Sequence, residues 1–115
     1  MKTLVIDIET TGRNPSEDEI LQLAILDGDG SVLYNKFLRP EKVTSWLEAR
    51  QINGITPEMV MDAPTFREEL SVIQPILSGA NLIICYNVGF DIPFLMWAGC
   101  DLPEWGEPYP PQMCL

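Results

Sequence analysis

The stretch Asp27-Gly28-Asp29-Gly30-Ser31 separates two apolar runs, residues 19–26 and 32–38. Aspartate and glycine in so short a link accept the backbone angles of a tight reversal, so the two runs are predicted to pair as an antiparallel hairpin. A third run, residues 3–8, is rich in β-branched and aliphatic residues and admits polar side chains on one face only, the mark of a half-buried strand. Thr11-Gly12-Arg13-Asn14-Pro15 follows it as a loop with turn chemistry. The chain up to Pro40 is therefore predicted to form a three-stranded antiparallel meander, and everything downstream must be built onto that sheet.

Beyond Pro40 the pattern turns helical. Thr44 or Ser45 is placed to cap a short helix through Trp46, Leu47 and Ile52 that stops near Gly54. Thr56-Pro57-Glu58 reads as another helix start, with proline at the first position, where its missing N–H costs nothing. Thr65 heads a longer helix on which Phe66, Leu70, Ile73 and Leu77 fall near helical spacing, ended by Ser78-Gly79. Pro75 inside it predicts a kink or an early break. Residues 81–86 form a short apolar run of the buried-strand type, and residues 88–98 a helix closed by Gly99. The tail, residues 101–115, holds four of the chain's ten prolines and has no clear periodicity. Strands first and βαβ order afterwards predict a mixed α/β domain. Residues 1–98 are expected to form its N-terminal part. Residues 99–115 are expected to be a Pro-rich segment leading into the remainder of the same domain, with another apolar segment beginning at Cys114-Leu115.

Composition narrows the function classes. With 46% hydrophobic and 21% charged residues the chain of 115 fits one globular domain, not a disordered tract. No apolar run is long enough to cross a bilayer, and the run after Lys2 is interrupted by Asp7, too early for a signal-peptide core. A cytoplasmic location is expected. Cys85, Cys100 and Cys114 have no paired spacing and the chain has no histidine, which argues against a Cys/His zinc site and for reduced, mostly structural thiols. The net charge of −10 argues against a broad basic DNA-binding face. It is compatible with an enzyme that grips a strand end through metal ions and backbone amides, with weak nucleic-acid affinity when no divalent cation is present.

Asp7 and Glu9 stand two residues apart on the first strand, so both side chains leave the same face while Ile6 and Ile8 leave the other. Two like charges so placed are unfavourable unless a cation neutralises them, and carboxylate oxygens suit Mg²⁺ or Mn²⁺. A solvated edge strand accommodates the same pair, so the spacing alone leaves both readings open. Asp91, in the first turn of the helix after the buried run, is likewise favoured there by the helix dipole whatever its role.

The surrounding residues carry more. Asp7-Ile8-Glu9-Thr10-Thr11-Gly12 resembles the first motif of the proofreading 3′→5′ exonucleases of the DEDD type, and Tyr86-Asn87-Val88-Gly89-Phe90-Asp91, continued by Phe94-Leu95, resembles the second. Between them, Glu19-Ile20-Leu21-Gln22-Leu23-Ala24 is similar to the family's second strand. Ile52-Asn53-Gly54-Ile55-Thr56-Pro57-Glu58-Met59-Val60 and Ala63-Pro64-Thr65-Phe66 are similar to its connecting segment. The resemblance runs in the family's order from about Lys2 to Leu95. It implies a ribonuclease H-like α/β fold and, as in the epsilon-subunit-like exonucleases, hydrolysis of the terminal phosphodiester of DNA or RNA to nucleoside monophosphates. It implies Asp7, Glu9 and Asp91 as catalytic metal ligands for two Mg²⁺ or Mn²⁺ ions. It also implies Ile8, Thr10, Thr11, Gly12 and Asn87 on the substrate side, where the threonines and glycine bring backbone close to the terminal nucleotide. The partners it implies are a single-stranded 3′ end and a polymerase or other replication or repair protein.

Three departures stand out. The family's third motif, HxAxxD or YxxxD, supplies a fourth carboxylate and a general base; the chain has no histidine, and four residues after Tyr109 stands Met113. An incomplete form of the domain is therefore expected, with an inactive binding module as the alternative. Gln22 stands where an acid is frequent, and Arg13 where an apolar residue is frequent; Arg13 meets either a phosphate or solvent. Tyr86 and Phe90 are expected to pack rather than to stack on bases.

Overall fold

In a computed structural model, residues 2–102 and 112–114 are described, the last three as backbone. The elements run β1 (Thr3–Thr10), β2 (Ile20–Asp27), β3 (Val32–Phe37), α1 (Leu47–Asn53), α2 (Pro57–Val60), α3 (Phe66–Ser78), β4 (Leu82–Cys85), α4 (Val88–Trp97) and β5 (Gln112–Cys114). They build one five-stranded sheet in the order β3-β2-β1-β4-β5. The meander pairs antiparallel, with Asp7 opposite Ala24 and Glu9 opposite Gln22. β4 joins β1 in parallel, Leu4 beside Ile83 and Ile6 beside Cys85. The mixed ribonuclease H-like architecture expected from the sequence is the one observed.

β1 sits in the centre, and its alternation buries Leu4, Ile6, Ile8 and Thr10 on one face. That face meets α3 and α4 through Ile73, Leu77, Phe94 and Leu95 in the main core. Ile20 belongs to this core, whereas the adjacent Leu21 packs with Trp46, Ile55 and Val60 in a second, smaller cluster. Successive strand residues face opposite ways, so α1 and α2 cover the other side of the sheet, at the start of β2.

Several local signals act as read. Thr56 and Thr65 cap α2 and α3, each accepting a backbone N–H from the residue three on. Gly99, at φ 115°, ends α4 by donating to Met96 while Cys100 donates to Leu95, the bonding pattern of a Schellman close. Two expectations are corrected. α3 runs unbroken through Pro75 to Ser78, because Ile73 and Leu77 bury on either side of the proline while Ser71, whose carbonyl loses its donor, faces solvent. Neither Thr44 nor Ser45 caps α1; the helix starts after Trp46, which is buried and donates its indole N–H to the Ile55 carbonyl at 2.7 Å. Burying an indole outweighs the roughly 1 kcal/mol of a side-chain cap.

The segment after α4 is built into the same domain. Cys100 and Leu102 are buried in the main core, Gln74 brackets the backbone of Asp101 from both sides, and β5 pairs in parallel with β4. This last strand was not foreseen in the tail. Cys85 and Cys100 are buried thiols outside any disulfide, whereas the Cys114 side chain, like Tyr109 and the tail prolines, lies outside the described residues. Among the described residues no helix is long and apolar enough to cross a membrane.

Candidate active site

Parallel pairing brings the C-terminal ends of β1 and β4 to the same edge of the sheet, the position where open α/β sheets carry their ligand sites. Asp7 and Glu9 project at that end from the face opposite Ile6 and Ile8, Asp7 exposed and Glu9 half-buried. Because β1 is the middle strand, the solvated edge-strand reading of the pair falls away. Burial first, and then the neighbouring Asp7 charge, raise the Glu9 pKa above the ordinary carboxylate value.

Asp91 comes to the same place from β4 by way of the first turn of α4. Its backbone N–H donates to Asn87 at 2.9 Å, and its side chain is only 5% exposed. Its Oδ2 is buried with no hydrogen-bond partner. Burial, then the charges of Asp7 and Glu9, push its pKa up to about 7. A dipole-favoured surface acid would lie in water; this one is sealed in and coupled to two other carboxylates. An orphaned carboxylate oxygen facing the charges of Asp7 and Glu9 belongs to an oxygen-rich set short of positive charge, and it fits a hard divalent cation. Among the described residues no three such groups close around an ion as they stand.

Beside the carboxylates opens a cleft of about 970 Å³. One wall is the end of β1 and its loop, Ile8 through Arg13, and the far wall is α1, from Glu48 to Asn53. Asp18, Asn87 at the start of α4 and Phe90 within it complete the lining. All five residues expected on the substrate side, Ile8, Thr10, Thr11, Gly12 and Asn87, line this cleft together with Glu9, while Asp7 and Asp91 lie outside its lining. The threonine hydroxyls are committed inward. Thr10 Oγ1 donates to the Gly12 carbonyl at 2.6 Å, and Thr11 Oγ1 donates to Asp18 at 2.9 Å while accepting from Glu19 N–H. They shape the loop that lines the cleft.

Sequence reasoning missed three contributors. Asp18 holds the loop from inside, and a Cβ on Gly12 would lie 2.4 Å from its Oδ2, so a larger residue there would displace the Asp18 carboxylate from its bonds to Thr11 and Asn14. Asn53 ties the walls together, donating to the Thr10 carbonyl at 3.1 Å and accepting from Ile55 N–H at 3.0 Å. Ile52 presents an apolar side chain to the cleft with 79% of its surface exposed, a placement with no core to explain it. The sequence signal was the segment Ile52-Asn53-Gly54, read for its resemblance but not given a role. Phe90 packs on the core and also lines the cleft, its ring 4.8 Å from that of Phe94. Tyr86 does not pack as expected: it is 75% exposed, just past the end of β4 at Cys85. Gln22 donates to Asn35 across the strands at 3.3 Å.

This combination of a central acidic strand, a parallel βα unit returning a buried aspartate, and an open cleft defines a nuclease-type α/β domain. The family model of the RNase_T exonucleases matches residues 4–100, and the chain belongs to that family. Over 110 residues it is 32% identical to the 3′-5′ exonuclease DinG of Bacillus subtilis, a match covering 88% of this chain and 12% of that protein. It is 29% identical to the DNA polymerase III subunit epsilon of Escherichia coli over 103 residues, covering 82% of this chain and 42% of that one. Among solved structures an apo exonuclease I superposes with a TM-score of 0.77 at 22% identity, over 97% of this chain and 28% of its own. The chain thus spans less than half of each of these relatives.

Proposed function

We propose that this chain carries the metal-binding half of a 3′→5′ exonuclease site that releases nucleoside monophosphates from a single-stranded 3′ end of DNA or RNA. The observation that carries the reading is Asp91 Oδ2, buried without a partner and coupled to Asp7 and Glu9. Asp7, Glu9 and Asp91 would hold Mg²⁺ or Mn²⁺, which when bound polarises the phosphodiester and stabilises the charge on its attacking and leaving oxygens. The chain's own residues do the rest of the positioning. Thr10 to Gly12 line the wall where a terminal nucleotide would lie, Asn87 and Phe90 bound it at the start of α4, and Ile52 offers an apolar surface from the opposite wall. The names of the relatives support a polymerase or another replication or repair protein as partner, and we expect the protein to work in the cytoplasm.

A second reading is a nucleic-acid- or partner-binding module that does not cut. One experiment separates the two. Purified chain is titrated with Mn²⁺ by calorimetry and incubated with 5′-labelled single-stranded DNA and RNA in Mn²⁺ or EDTA, with Asp7→Ala as control. Saturable Mn²⁺ binding lost in Asp7→Ala, with slow laddering from the 3′ end, is the expected result. Mn²⁺ and strand binding without any laddering supports the module. No Mn²⁺ binding at all refutes the metal site and the exonuclease reading with it.

A further inference from the structure

Arg13 is the one residue of the first motif's loop that the reading above leaves without a task. The cleft is strongly acidic: Glu9, Asp18 and Glu48 line it, and Arg13 is the only basic side chain among its described lining residues. Of the other six cations, Lys2, Lys36, Arg39 and Arg67 each pair with a carboxylate, and Lys42 and Arg50 lie outside the cleft's lining. Arg13 makes no ion pair among the described residues, although Asp18 lies on the same loop. Asp18 is engaged with the loop through both oxygens: its Oδ1 accepts from Thr11 Oγ1 at 2.9 Å and its Oδ2 from Asn14 N–H at 3.0 Å. The Asn14 carbonyl in turn accepts from Glu17 and Asp18 N–H. The backbone is therefore braced immediately before and after Gly12-Arg13, and Gly12 lets Asp18 close under it.

We propose that Arg13 is the cleft's phosphate-binding cation and that Asp18 is the positioning residue that holds it there. The ligand is a phosphodiester of the strand end, so the inference rests on the exonuclease reading and names the group that offsets the cleft's own acidity. A guanidinium offers a planar fork that matches phosphate oxygens, which a free arginine in an acidic cleft can give to an incoming strand and one locked to a carboxylate cannot.

The test is fluorescence anisotropy of a 5′-labelled oligothymidylate on the whole chain in Ca²⁺, with salt varied from about 50 to about 200 mM. Arg13→Gln is expected to weaken binding about tenfold at low salt and to reduce the slope of log affinity against log salt by about one. Arg13→Lys keeps the slope and loses part of the affinity, because it lacks the fork. Asp18→Ala decides between charge and positioning. Removing an acid from the cleft tightens binding on charge alone, whereas a lost brace weakens binding and shrinks the slope as Arg13→Gln does. If Asp18→Ala does not fold, Asp18→Asn, which keeps the Thr11 bond and loses the Asn14 one, carries the same comparison. An unchanged slope in Arg13→Gln, or tighter binding with an unchanged slope in the Asp18 variant, overturns the proposal alone. A wild-type chain that binds no strand overturns the exonuclease reading and this inference together.

Discussion

Asp91→Asn is expected to make the metal-free protein more stable at neutral pH, although it removes a family carboxylate. Asp91 is 5% exposed, its Oδ2 has no partner, and its pKa is raised from 3.8 to about 7 by burial and by Asp7 and Glu9. A folded-state pKa above the unfolded one means that the native state holds the proton more tightly. Below about pH 4 both states are protonated and nothing is lost; between about 4 and 7 the unfolded state ionises while the native state keeps the proton, so stability falls, and the loss levels off above 7. A shift of about three units corresponds to about 4 kcal/mol at 1.36 kcal/mol per unit, and relaxation and water entry reduce this to about 2 kcal/mol. Asparagine is nearly isosteric and uncharged, so at pH 8 in EDTA the variant should melt higher by about 8 °C, taking about 4 °C per kcal/mol for a chain of this size. At pH 4 the advantage should vanish, since the buried aspartate then carries no charge. Thermal melts from pH 4 to 8.5 in EDTA measure both limbs. An Asp91→Asn protein less stable than wild type at pH 8, or a stability gap independent of pH, would refute the reasoning.

Three further substitutions probe the framework. Gly12→Ala puts a Cβ 2.4 Å from Asp18 Oδ2 and should destabilise by about 1–3 kcal/mol; pairing it with Asp18→Ala in urea melts should recover part of the loss, and strict additivity would contradict the clamp. Gly99→Ala forces a side chain onto φ 115° and to within 3.3 Å of Leu70, with an expected loss of about 1–3 kcal/mol in the same melts, while a neutral result would mean that the α4 close is not as described. Trp46→Phe removes the 2.7 Å indole bond to the Ile55 carbonyl and should lower stability by about 1–3 kcal/mol. The loss should appear as faster amide exchange in α1 and α2 than in the sheet, and uniform exchange would argue against a separate cluster there.

Much of this molecule was legible because its signals are local. The hairpin at Asp27–Ser31, the threonine caps at Thr56 and Thr65 and the glycine close at Gly99 each depend on a few neighbouring residues whose backbone angles and hydrogen bonds settle the outcome. The common face of Asp7 and Glu9 follows from the strand's period of two alone. Errors fell where a distant group intervened: Trp46 set the start of α1 by burying beneath Ile55, and the buried flanks of Pro75 carried α3 through a residue that would break an isolated helix.

Tertiary structure alone decided how the site is assembled. That β1 is a central strand, that β4 lies beside it in parallel and returns Asp91 to Glu9, and that α1 forms the second wall of the cleft are consequences of pairing across dozens of residues. Asp18 reads in sequence as one acid among three neighbours, and only the folded loop turns it into the brace under Gly12 and Arg13. Sequence spacing specifies which way a side chain leaves its own strand or helix, but burial and charge coupling depend on what the rest of the chain brings alongside, and that is settled only when the core closes.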